Sequence, residues 1–142
     1  MRLDEVDGDG WFMIENELSK RVLEVGYTFK DFKQIITAKA TGSSDQLWTW
    51  KGSSLMSKSG YVLSTIGKEA GACVVAVENR GSSNQQWKIQ GNKLIAKSSA
   101  MALDIKNGSI WSNKDIIIWT PNLPQKYDTQ SWRFKAYNDE AT

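Results

Sequence analysis

The sequence contains no histidine among its 142 residues. Histidine is the commonest general base, a frequent zinc ligand and the usual partner of a catalytic serine or cysteine, so its absence removes those arrangements. Cysteine occurs once, as Cys73, which excludes an intrachain disulfide. A single cysteine indicates a reducing compartment, or secretion without need of disulfides. We interpret Cys73, at the start of an apolar run, as a small buried residue.

Long apolar runs and an excess of one charge are also missing. The longest aliphatic run is Ile116-Ile117-Ile118, too short to cross a bilayer, and the N-terminus lacks the apolar stretch of a signal peptide. We therefore expect a soluble protein without membrane insertion, either cytoplasmic or released without a conventional signal. Eighteen basic residues against 16 acidic ones give a net charge of +2, which predicts no general attraction to nucleic acid.

The acidic N-terminal stretch resembles the start of a calcium loop. Its pattern is Glu5-x-Asp7-x-Asp9-Gly10, but the twelfth position is Asn16, which lacks the bidentate carboxylate of such loops. We interpret the stretch as a solvated tail. The sequence predicts neither a metal ion nor a cofactor.

An internal repeat is the main signal in the sequence. The motif Gln-x-Trp occurs three times, and its tryptophans are 39 and 45 residues apart. Each tryptophan is followed by a polar and then an apolar residue, an alternation typical of a half-buried strand. The three motifs are Gln46-Leu47-Trp48, Gln85-Gln86-Trp87 and Gln130-Ser131-Trp132.

Three further short strands recur in the same order in each unit. One lies early in the unit, one contains a Leu-[Asp/Glu/Ser]-[Val/Thr/Ile] triplet, and one is a β-branched run in mid-unit; clusters of Gly, Ser and Asn separate them. About twelve strands without a helical period predict an all-β fold. Since one unit cannot bury a face alone, we expect a single β-trefoil domain over residues 1–142. Its repeats are about 11–48, 49–87 and 88–134, with short terminal tails.

These motifs together resemble the ricin-B-like (R-type) family of β-trefoil lectins. The resemblance extends from about Trp11 to Phe134, and the opening stretch is similar to disulfide-free members from invertebrates. It implies a carbohydrate-binding module rather than an enzyme. It also implies that the three Gln-x-Trp motifs are structural, with the tryptophan in the core and the glutamine bonded to a turn.

The family's sugar site implies roles for five residues of the third repeat. An aspartate accepts bonds from two sugar hydroxyls, an aromatic residue stacks on the C–H face of the ring, and an Asn-Gln pair supports them. Asp104 matches the aspartate, Trp119 the aromatic residue and Gln130 the glutamine. Thr129 stands at the asparagine position; its hydroxyl replaces the amide, or Asn122 reaches in instead. Trp111 is either a second wall or a subunit contact.

The other two repeats lack these parts. In the first repeat Glu24 stands at the aspartate position and Ala38 at the aromatic one. In the second repeat the corresponding residues are Ser64 and Val77. We therefore expect one working site, in the third repeat.

The leading hypothesis is a lectin for terminal galactose or N-acetylgalactosamine on glycoproteins or glycolipids. One weak site per chain predicts a homodimer, because avidity multiplies weak contacts. The alternatives are a β-trefoil scaffold or inhibitor that binds proteins and has lost sugar binding, and the binding module of a larger toxin or enzyme. Glycoside hydrolysis requires paired carboxylates, and neither Asp104 nor Asp115 has a visible reason to be protonated.

Overall fold

Short runs of alternating residues form β-strands throughout the computed structural model, which describes residues 10–122 and 128–137. Twelve strands lie within these ranges, and each corresponds to a strand expected from the repeat. Most of the predicted terminal tails lie outside the described residues, and so does most of the acidic N-terminal stretch. The strands are β1 (Phe12–Asn16), β2 (Val22–Phe29), β3 (Phe32–Ala38), β4 (Trp48–Lys51), β5 (Ser54–Ser57), β6 (Val62–Thr65), β7 (Val74–Val77), β8 (Trp87–Gln90), β9 (Lys93–Ala96), β10 (Ala102–Ile105), β11 (Ile116–Trp119) and β12 (Trp132–Ala136).

The strands pair antiparallel into two sheets. One has the order β12-β1-β2-β3-β7-β6-β5-β4, with an added β1–β4 pairing, and the other has the order β11-β10-β9-β8. Within each repeat an equivalent backbone contact joins the opening part to the Gln-x-Trp tryptophan: Phe12 pairs with Trp48, and the N–H groups of Trp87 and Trp132 donate to the carbonyls of Ser53 and Asn92 at 2.8 and 2.9 Å. Between repeats, β1 pairs with β12 and β3 with β7, and isolated bridges join Ile36 to Asp115 and Cys73 to Ile117. The three repeats therefore close on one another in the predicted β-trefoil arrangement.

The three repeat tryptophans fill the core, as expected. Trp48, Trp87 and Trp132 are at most 1% exposed. An indole N–H that is buried needs an acceptor. Each of the three donates to the carbonyl of the leucine in its own repeat's triplet, Leu23, Leu63 and Leu103, at 3.3, 3.0 and 3.0 Å.

The three repeat glutamines are buried and hold the turn before each tryptophan, which confirms their structural role. The side-chain oxygen of each accepts a backbone N–H, and the side-chain amide donates to a backbone carbonyl. The donor and acceptor residues are Thr41 and Lys39 for Gln46, Arg80 and Glu78 for Gln85, and Asn122 and Thr120 for Gln130.

Two features depart from a strictly repeated pattern. The β2–β3 hairpin has strands of eight and seven residues, where its counterparts in the other repeats have four each. The prediction for Cys73 is wrong, because the residue is only half-buried. It lies just before β7 and forms an isolated bridge with Ile117, so it sits where a loop enters the sheet.

Within the described ranges, no helix has the length and apolar character needed to span a bilayer.

Candidate functional site

The register of the β10–β11 hairpin puts the predicted aspartate and tryptophan on one face. Asp104 in β10 is directly opposite Ile117 in β11, and Trp119 is opposite Ala102. Directly opposite residues share a face of the sheet, and so do residues two apart on one strand. Asp104, Ile117 and Trp119 therefore project to the same side.

The carboxylate of Asp104 is buried and held by three donors. It is 8% exposed. Its Oδ1 accepts the hydroxyl of Thr129 at 2.7 Å and the backbone N–H of Ile105 at 2.7 Å. Its Oδ2 accepts the side-chain amide of Gln130 at 3.1 Å. A carboxylate offers about four acceptor positions, so Oδ2 has capacity left for a ligand hydroxyl.

Trp119 presents an open indole beside this carboxylate. Its side chain is 47% exposed, in contrast to the buried repeat tryptophans. The loop before β7 supports it: a Cβ added at Gly71 would be 3.6 Å from the indole Cζ3, and the N–H of Gly71 donates to the Ile118 carbonyl at 2.8 Å. The indole therefore lies close to Gly71, and nearly half of the residue is accessible to solvent.

Asp104, Trp119 and Thr129 line one cavity of 390 Å³. Its size is within the range of about 300–1,000 Å³ that is usual for small-ligand sites. Its carboxylate can accept hydroxyl donors, and its indole ring offers a flat apolar surface, which are two kinds of group suited to a sugar ring. The remaining lining residues are Gly71, Ile105, Lys106, Asn107, Gly108 and Ile117.

Gln130 lies behind the cavity and joins its parts. It is fully buried, and its amide donates both to Asp104 and to the carbonyl of Thr120. Its side-chain oxygen accepts the backbone N–H of Asn122 at 2.8 Å. Asn122 therefore contributes its main chain, while its side chain is exposed and outside the set that lines the cavity. Of the two alternatives for the missing asparagine, the Thr129 hydroxyl is the one that contacts Asp104.

Sequence reasoning missed the part of the site that comes from loops. Gly71 belongs to the second repeat and reaches the cavity only through the fold. The other additions are Lys106, Asn107 and Gly108, which follow β10. Asn107 and Gly108 both have a positive φ, at 61° and 63°, and the Asn-Gly dipeptide was a turn signal in the sequence.

Trp111 lies in the same loop but is outside the set that lines the cavity. It is 66% exposed, and its carbonyl accepts the hydroxyl of Thr37 in the first repeat at 2.9 Å. Its position favours a role outside this cavity.

Comparison with known proteins identifies the family. The ricin-type β-trefoil lectin domain matches residues 10–132. The chain therefore belongs to the ricin-type β-trefoil lectin family. A comparison with curated protein sequences finds no match.

Solved structures of several β-trefoil proteins are similar to this chain. The designed threefold-symmetric protein ThreeFoil is 26% identical, with 91% of this chain and 99% of that chain covered and a TM-score of 0.77. The C-half of an earthworm R-type lectin, solved with GalNAc, is 18% identical and has a TM-score of 0.74. The match covers 90% of this chain and 99% of that chain. An exo-β-1,3-galactanase from Clostridium thermocellum is 22% identical with a TM-score of 0.76; 90% of this chain matches 30% of that one.

The family is one of lectins, and its fold indicates carbohydrate binding. The galactanase shows that such a domain also occurs within an enzyme chain.

Proposed function

We propose that the protein is a lectin that binds terminal galactose or N-acetylgalactosamine through the cavity of the third repeat. One observation carries the proposal: the buried carboxylate of Asp104 and the open indole of Trp119 line the same small cavity. The earthworm lectin was solved with GalNAc, and this supports the choice of sugar.

Each side chain has a defined task in this proposal. Trp119 stacks on the C–H face of the sugar ring and removes apolar surface from water. Oδ2 of Asp104 accepts ligand hydroxyls in charge-assisted bonds. Thr129 and Gln130 hold that carboxylate in place, at 2.7 and 3.1 Å. One such site should bind with a dissociation constant of about 0.1–1 mM, or about 4–5 kcal/mol.

The protein acts as a homodimer in this proposal, because one weak site per chain needs a second for useful avidity. Ile110 and Trp111, which are 44% and 66% exposed in one loop, offer apolar surface that a second copy would cover. Sedimentation velocity should show a dimer for the parent and dissociation for Trp111→Ala. A monomeric parent at high concentration would contradict this part of the proposal.

The site is tested by the loss of its aromatic platform. We expect Trp119→Ala to weaken binding of methyl β-galactoside by about tenfold or more, or about 1.4 kcal/mol, in an NMR titration. Trp111→Ala is the matched control, since it removes an exposed tryptophan outside the cavity and should leave the intrinsic affinity unchanged. If Trp119→Ala binds as well as the parent, the site is wrong. If the parent itself binds no sugar, the protein-binding scaffold becomes the better hypothesis.

A further inference from the structure

The loop that joins β10 to β11 contains two asparagines in similar surroundings. The loop comprises residues 106–115, and both Asn107 and Asn113 are exposed in it. Both also have a positive φ, at 61° and 64°. They differ in how firmly the chain around them is held and in the residue that follows each of them.

The second half of the loop is fastened to the first repeat. The N–H of Asn113 donates to the Thr37 carbonyl at 2.6 Å, and the N–H of Thr37 donates to the Lys114 carbonyl at 2.9 Å. The Thr37 hydroxyl accepts the N–H of Lys114 at 3.1 Å. Arg21 adds a bond from its Nε to the hydroxyl of Ser112 at 2.8 Å. A change of backbone conformation at Asn113 therefore requires this network to open.

The first half of the loop is a single 3₁₀ turn, Lys106–Gly108, and the bonds that follow it are long. The N–H of Ser109 donates to the Lys106 carbonyl at 3.4 Å, and the N–H of Trp111 donates to the Ser109 hydroxyl at 3.3 Å. Hydrogen bonds of this length are weak, and 3₁₀ geometry weakens them further. A Cβ added at Gly108 would meet nothing within 4 Å. The chain around Asn107 is therefore uncrowded and opens more easily than the second half.

An asparagine followed by glycine reacts readily with its own main chain, because glycine has no Cβ to obstruct the approach. The backbone nitrogen of Gly108 attacks Cγ of Asn107, Nδ2 leaves as ammonia with the proton of that nitrogen, and a five-membered succinimide forms. Water then opens either carbonyl of the ring and gives aspartate or isoaspartate. The reaction consumes water and needs no other reagent. Asn107 is followed by Gly108, whereas Asn113 is followed by Lys114.

Asn107 also lies in the wall of the cavity beside Trp119. Among the described residues that line this cavity, one is acidic and one is basic, namely Asp104 and Lys106, so their formal charges cancel. Either product adds a carboxylate and leaves the lining negative. Isoaspartate also lengthens the main chain by one carbon, which moves the wall formed by Lys106 and Gly108 relative to Asp104.

We propose that Asn107 is a site of spontaneous deamidation and that its conversion alters the adjoining cavity. The change is covalent and requires no enzyme, so the cavity of a chain changes with the age of that chain. A displaced wall is no longer preorganised for a ligand, and we expect weaker sugar binding as the consequence. This last effect rests on the proposed galactose site, whereas the modification does not.

The experiment ages the full chain in mildly alkaline buffer, where the Gly108 nitrogen loses its proton more readily. Trypsin cleaves after Lys106 and Lys114, so one peptide, residues 107–114, contains both asparagines, and its fragment spectra locate the change. The indole N–H signal of Trp119 in the NMR spectrum reports on the cavity without any sugar. Titration with methyl β-galactoside then compares the affinity of fresh and aged chains.

Two variants are aged beside the parent. Asn107→Gln keeps an amide on a longer side chain, so the five-membered ring cannot close, and its Trp119 signal and affinity should stay as they are in its own fresh form. Asn113→Gln is the matched control, because it changes an exposed asparagine of the same loop outside the residues that line the cavity. It should age like the parent.

We expect Asn107 to convert about tenfold faster than Asn113 or more. The Trp119 signal should shift in step with that conversion, and the aged parent should bind methyl β-galactoside about threefold more weakly than the fresh parent. Equal rates at the two asparagines, or an unshifted Trp119 signal in fully converted chain, would overturn the proposal. If the fresh parent binds no galactoside, the proposed function fails, while the conversion rates and the Trp119 signal still decide this inference.

Discussion

The second and third repeats share one framework. Trp87 and Trp132 are both buried, and each indole donates at 3.0 Å to a leucine carbonyl of its own repeat. Gln85 and Gln130 both hold the preceding turn through one accepted and one donated main-chain bond. The parts that build the trefoil are thus equivalent in the two repeats.

The two repeats differ where the framework meets solvent. In the third repeat the amide of Gln130 also donates to Asp104, and Trp119 is open. In the second repeat Ser64 and Val77 occupy those positions, and the long β2–β3 hairpin borders a wider cleft. The buried tryptophan and glutamine are common to both repeats, whereas the residues at the positions of Asp104 and Trp119 differ, so one framework carries two different surfaces.

The largest expected effect tests the shared framework. Trp87→Ala and Trp132→Ala should each lower the free energy of unfolding by about 3–5 kcal/mol, because each empties a core position and leaves a carbonyl unpaired. Urea denaturation of both variants measures this. Equal losses would support equivalent roles. A difference of about 2 kcal/mol or more would show that one repeat depends on its tryptophan far more than the other.

The next largest expected effect is a loss of galactoside affinity, and it tests the aspartate position at which the second and third repeats differ. Asp104→Asn keeps the shape of the side chain but puts an amide where, in the proposed site, a carboxylate oxygen accepts ligand hydroxyls. We expect the affinity for methyl β-galactoside to fall by about tenfold or more, or about 1.4 kcal/mol.

Glu24→Gln is the matched control for that variant. Glu24 is the equivalent residue of the first repeat, and its carboxylate likewise accepts the amide of a repeat glutamine, Gln46, at 2.9 Å. Since Ala38 provides no aromatic platform beside it, we expect this variant to leave galactose binding unchanged. If the two variants weaken binding equally, the site is not confined to the third repeat.

The sequence predicted the framework well, for a physical reason. A strand pattern repeated three times can bury its apolar face only if the copies pack together, so the spacing of Trp48, Trp87 and Trp132 carried most of the fold. The turn-holding role of the glutamine before each tryptophan was implied by the family resemblance, and the structure has the same pair of main-chain bonds in all three repeats. The strands that follow from this pattern are all present.

The candidate site was less visible in the sequence. Asp104 and Trp119 could be assigned because they match the aspartate and aromatic positions of the family that the repeats resemble. Gly71 could not, because it comes from the second repeat and approaches Trp119 only in the folded chain. The cleft that the β2–β3 hairpin borders was missed for a similar reason: the sequence does not show that β2 and β3 stay paired as far as Phe29 and Phe32.

The smallest expected effect concerns the one family position that is substituted in the third repeat. The Thr129 hydroxyl donates to Oδ1 of Asp104 at 2.7 Å. Thr129→Val removes this donor at nearly constant volume, and should weaken galactoside binding by about threefold to fivefold, or about 1 kcal/mol. Thr129→Ser is the control and should bind like the parent, because it keeps the hydroxyl. If valine also binds like the parent, the Gln130 amide and the Ile105 N–H suffice to hold the carboxylate, and the hydroxyl is no substitute for the family's asparagine.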